Sequence, residues 1–68
     1  MSEKLTKKQK FLASLIRVHR KELLKRFIPS RLGMYMSGER IPDYDTALYI
    51  AKLAEINVDE IAYRKLNK

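Results

Sequence analysis

From Phe11 onward the apolar residues fall three and four positions apart: Phe11, Leu12, Leu15 and Ile16, with Val18 adding apolar surface. That spacing is the signature of one helical face. Thr6 stands where an N-cap belongs, and Gln9 follows three residues later, as a capping box requires. The pattern predicts a helix near residues 6–18. Leu23, Leu24 and Phe27 continue a similar rhythm and predict a second helix near 20–27. Between the two runs lies His19-Arg20-Lys21-Glu22, polar and free of Gly and Pro. The pattern therefore admits either a break there or one helix through residues 6–27.

Ile28-Pro29-Ser30 ends this region. A residue before proline avoids the α basin, and proline suits the first turn of a following helix. A third, short helix is predicted near 30–37, carrying Arg31, Leu32, Tyr35 and Met36. Leu32 and Tyr35 share its inward face and are expected in the core. Ser37-Gly38 stops it, because Gly38 can take a positive φ. Glu39-Arg40-Ile41-Pro42 is a connector, and Asp43 is a candidate cap for a fourth helix near 43–54. There Tyr44, Ala47, Leu48, Ala51 and Ala54 share a face, with Ile50 and Leu53 flanking it. Ala51 and Ala54 are expected to be buried at close helix contacts. A fifth helix is predicted near 58–65: Asn57 caps, Glu60 completes a box, and Ile56 staples onto Ile61. No stretch alternates with period two. The expectation is one compact all-α domain of five helices over residues 1–68, with 1–5 and 66–68 frayed.

A chain of 68 residues is one domain and buries a modest core. It has no cysteine, so disulfides and thiolate metal sites are excluded. Its single histidine, His19, cannot build a His-rich metal site, and site-forming groups are too few to suggest an enzyme. No catalytic residue, cofactor, metal or small-molecule ligand is expected. No apolar run is long enough to span a bilayer, and the segment from Phe11 to Ile16 is too short for a signal-peptide core. The expectation is a soluble cytoplasmic protein without membrane attachment.

The net charge is +7, and its distribution says more than its size. Residues 1–31 carry ten basic and two acidic side chains, residues 32–63 two basic and six acidic, and residues 64–68 three basic. A one-sided basic field attracts a polyanion, and DNA is the commonest such partner.

The stretch from Ser30 to Pro42 is a short helix flanked by tight turns that leads through Gly38 to Pro42. With Ile50-Ala51-Lys52 and Asn57-Val58-Asp59-Glu60-Ile61 beyond it, this half of the chain resembles the Cro/CI (Xre-type) helix-turn-helix domains of phage repressors. Where that family has a turn glycine, this chain has Ile28-Pro29. The resemblance implies a lambda-repressor-like domain that binds double-stranded DNA as a phage or prophage transcriptional regulator, with residues 30–37 in the major groove. By position it implies base contacts from Ser30, Arg31 and Met34, and phosphate contacts from Arg20, Lys21, Ser37 and Arg40. An arginine can bond guanine bidentately, whereas phosphate contacts position without reading sequence. Lys4, Lys7, Lys8 and Lys10 could add to the basic field. The family commonly binds as a dimer, so a homodimer on DNA is one arrangement the resemblance allows.

Two other classes compete. A protein-binding module, antitoxin-like or anti-repressor, would use the same small fold without specific DNA binding. Met34, Met36, Tyr44 and Tyr49 would be its exposed contacts. A membrane-surface helix would need residues 6–27 to be continuous, basic and amphipathic.

Overall fold

The structure, a computed structural model, describes residues 5–64. In order it contains α1 (Lys7–Val18), α2 (Arg20–Leu23), α3 (Pro29–Ser37), α4 (Tyr44–Ala54) and a single 3-10 turn (Val58–Glu60). No strand occurs among the described residues; one isolated bridge joins Asp43 and Arg64. Among the described residues the fold is thus mostly helical and without strands, as expected of an all-α domain, but it has four α-helices rather than five. The expected fraying of 1–4 and 66–68, the end of the fifth helix at Lys65, and Lys4 lie outside the described residues. Leu5, also expected to fray, is half-buried.

The capping box of α1 forms as its sequence predicts. Thr6 Oγ1 accepts from the Gln9 N–H at 3.1 Å, and Gln9 Oε1 accepts from the Thr6 N–H at 2.9 Å. The open question over residues 6–27 is resolved at His19. Its φ of −104° and ψ of 22° leave the helical basin, so α1 and α2 are separate helices. The second helix is shorter than expected. After Leu23 the chain runs through turns that bond Arg26 N–H to Leu23 O at 2.9 Å and Phe27 N–H to Leu23 O at 2.8 Å.

The core unites Leu12 and Ile16 of α1, Leu23 of α2, Leu32 and Tyr35 of α3, and Ala47, Ile50 and Ala51 of α4. Val58 and Ile61 close it from the C-terminal side. The rhythm through Leu23 and Leu24 divides: Leu23 is fully buried, while Leu24 faces solvent at 39% exposure. Ala51 is buried as expected, but Ala54, the last residue of α4, is only half-buried.

The turn between α2 and α3 is fixed to α4 by aromatic contacts. The Phe27 ring meets Tyr49 edge-on with centroids 6.0 Å apart, and the Arg26 guanidinium carbon lies 4.5 Å from the Tyr49 ring centroid. Pro29 occupies the first turn of α3, and Gly38 ends the helix at φ 84°. Asp43 caps α4 by accepting from the Thr46 N–H at 3.1 Å.

The predicted fifth helix is replaced for a tertiary reason. Asn57 makes no side-chain cap, and the chain leaves the 3-10 turn at Ile61 in extended conformation. Three contacts then compete with helix. Ile61 enters the core, the Tyr63 ring packs edge-on against Tyr44 at 5.3 Å, and the Arg64 N–H donates to Pro42 O at 2.8 Å. The Tyr63 hydroxyl also donates to Asp59 Oδ1 at 2.8 Å, which holds its proton above the usual phenol range.

Candidate nucleic-acid interface

The helix α3 turns Leu32 and Tyr35 into the core and rests Met36 against it. Ser30, Gly33 and Ser37 lie on the opposite, exposed side, with half-buried Met34 beside them. The spacing 30, 34 and 37 puts those three side chains on one face. Arg31 is also exposed but sits on the flank nearer Tyr35.

A Cβ added to Gly33 would meet nothing within 4 Å, so nothing in the fold requires a glycine there. Ser37 is less free than its sequence position suggests. Its hydroxyl donates to Met34 O at 3.2 Å and accepts from the Glu39 N–H at 3.3 Å, closing the end of α3.

The connector folds back on α3. The Gly38 N–H donates to Tyr35 O at 3.3 Å, and the Arg40 N–H donates to Met34 O at 3.2 Å. This fixes Arg40 beside the helix that carries Arg31. The two arginines, expected to act apart, line one polar cavity together with Arg64. Asp43 lies on the same cavity, and its carboxyl is held below its usual range, chiefly by hydrogen bonds from Thr46 and also by the charge of Arg64.

Arg20 and Lys21 are exposed on α2 and do not line this cavity. Lys7, Lys8 and Lys10 are exposed on α1. Sequence reasoning missed Arg64 and Arg26. Arg64 belonged to a basic tail noted only for its charge, and no spacing links it to residues 31 and 40. Arg26 lay within the predicted second helix, and its stacking on Tyr49 depends on the α2–α3 turn meeting α4.

The two competing classes lose part of their basis. Of the apolar contacts expected to be exposed, Met36, Tyr44 and Tyr49 pack against the core, and Met34 is half-buried. The continuous amphipathic helix is interrupted at His19, and no helix among the described residues is long and apolar enough to cross a membrane. Val18 and Ile28 do remain exposed, at 73% and 62%. No protein-family model matches the chain, and no curated protein or solved structure does either.

Proposed function

We propose that this protein binds double-stranded DNA through a helix-turn-helix formed by α2, its following turn and α3. In this reading it is a cytoplasmic transcriptional regulator of the Cro/CI kind, from a phage or prophage. The outward side of α3 enters the major groove, where Ser30 and Met34 reach base edges. Arg20, Lys21 and Arg40 neutralise backbone phosphates around it.

The observation that carries the reading is Gly33. A glycine inside a helix costs about 0.5–1 kcal/mol relative to alanine. Here neither sterics nor backbone conformation calls for one, since its φ is negative and the space outside its Cα is open. A missing side chain at the centre of the exposed face is understandable if another body approaches the helix closely. The basic first half of the chain supports a polyanion as that body.

The test is fluorescence anisotropy with a random-sequence duplex over a range of salt, followed by selection from a random duplex library. The logarithm of affinity should fall linearly with the logarithm of salt, with a slope of about −0.9 per phosphate neutralised. Selected duplexes should share a motif. Absence of duplex binding at low salt would refute the reading. Affinity insensitive to salt would instead favour a protein-binding module.

A further inference from the structure

Arg31, Arg40 and Arg64 reach one cavity of about 110 Å³ from three separate segments: α3, the connector and the C-terminal extended chain. Each segment is tied down by backbone bonds. Arg31 lies within α3, the Arg40 N–H is bonded to Met34 O, and the Arg64 N–H is bonded to Pro42 O. Among the described residues, none of the three guanidinium groups makes a hydrogen bond or an ion pair. Like charges gathered this way repel one another. The cavity has a single carboxylate, Asp43, and one of its oxygens is occupied by the Thr46 N–H. Counting formal charges, three arginines and one aspartate leave the cavity positive.

The geometry points to a phosphate site: we propose that Arg31, Arg40 and Arg64 jointly hold one phosphate group, which on duplex DNA is a single backbone phosphate beside α3. The cavity is small, polar and open on one side, so a tetrahedral oxyanion carried on a larger molecule can enter it. Guanidinium forks match phosphate oxygens bidentately, and Tyr35, Ile41 and Thr46 complete the walls. Arg31 then positions the protein and does not read a base. The source of the phosphate rests on the DNA-binding reading; the chemistry of the cavity does not.

Two measurements separate these parts. In the first, inorganic phosphate is titrated into the protein at constant ionic strength while arginine Nε–Hε signals are followed by NMR. The signals of Arg31, Arg40 and Arg64 should move together with one dissociation constant while those of Arg17 and Arg20 stay. Asp43→Asn, which keeps a capping oxygen, should tighten phosphate about fivefold, the effect of removing one like charge a few ångströms away in water. Signals that stay still, or that move with unrelated constants, overturn the site. In the second, the salt slope of duplex binding is compared between the protein and its Arg31→Ala/Arg40→Ala/Arg64→Ala variant, with folding checked by circular dichroism. One shared phosphate should reduce the slope by about 0.9, and three separate phosphates by about 2.7. A reduction near the larger figure overturns sharing, and an unchanged slope overturns the backbone phosphate as ligand. If inorganic phosphate binds while the unmodified protein ignores duplex DNA, the cavity stands as a site for free phosphate and the DNA-binding reading falls.

Discussion

The backbone N–H of Arg64 donates to the carbonyl oxygen of Pro42 across 2.8 Å, joining the end of the described chain to the connector before α4. This bond and the burial of Ile61 make residues 61–64 part of the domain although they form no helix. Ile61 is 1% exposed. Ile61→Ala should therefore cost about 2–5 kcal/mol, as for a core position in a helix. Urea unfolding monitored by circular dichroism gives the value, and a loss below 1 kcal/mol would show the segment to be detachable.

Two residues end helices in the left-handed region, Gly38 at φ 84° and Glu55 at φ 61°. At Gly38 a side chain would be strained by the left-handed backbone, and the tip of the Leu5 side chain would have to move aside for it. Gly38→Ala should lower stability by about 1–3 kcal/mol. Glu55→Gly relieves the corresponding strain at the end of α4 and should raise stability by about 0.5–1 kcal/mol, after the added entropy of the unfolded chain is offset. Opposite shifts in melting temperature are the expected result. A rise for both or a fall for both would contradict the conformational argument.

Ala51 is fully buried, whereas Ala54 is half-buried. Ala51→Leu should overpack the contact of α4 with its neighbours and cost about 1–3 kcal/mol. Ala54→Leu should cost less than half as much. Equal melting temperatures for the two variants would show that burial does not set the difference.

Asp43 links stability to pH. Its carboxyl is held below its usual value near 3.8, first by the hydrogen bonds from Thr46. A depressed native pKa gives stabilisation that is complete above the unfolded value and is lost as pH falls through the native one. Asn caps about as well as Asp and does not titrate. On acidification from pH 5 to pH 2, the protein should therefore lose more melting temperature than its Asp43→Asn variant. Parallel curves would assign the acid sensitivity to other groups. Asp43→Ala, which removes the cap, should cost about 1 kcal/mol at neutral pH.

Gly33→Ala separates folding from binding. The substitution should stabilise α3 by about 0.5–1 kcal/mol, because the new methyl group meets nothing. In the proposed docking the same methyl group stands between α3 and the groove, so duplex affinity should fall at least several-fold while melting temperature rises. An unaltered affinity would place DNA elsewhere or remove it as the partner.

Most helix boundaries were legible in the sequence because local chemistry sets them. The Thr6–Gln9 box starts α1, Pro29 and Gly38 bracket α3, and Asp43 caps α4; each acts within about four residues of chain. The inward positions Leu12, Ile16, Leu32, Tyr35, Ala47 and Ala51 also followed from helical period. The exposed face of α3 was legible for the same reason, since naming its buried side names the other. Local signals misled at the C-terminus. Asn57 and Glu60 spell a helix start, yet no side-chain cap forms and the helix does not propagate.

Tertiary contacts decided that outcome, since Ile61 in the core and Arg64 on Pro42 draw more from an extended chain than from another helical turn. The break at His19 was likewise undetermined by a segment without Gly or Pro; it separates the part of the helical run carrying Leu12 and Ile16 from the part carrying Leu23, all of which are buried. The sequence by itself determined which residues favour helix, where most helices begin and end, and that positive charge gathers in the first half of the chain. Only the tertiary structure decided that Arg31, Arg40 and Arg64 share one cavity. Their meeting depends on the connector bond from Arg40 to Met34 and on the C-terminal bond from Arg64 to Pro42, the second joining residues far apart in sequence, which neither propensity nor periodicity encodes.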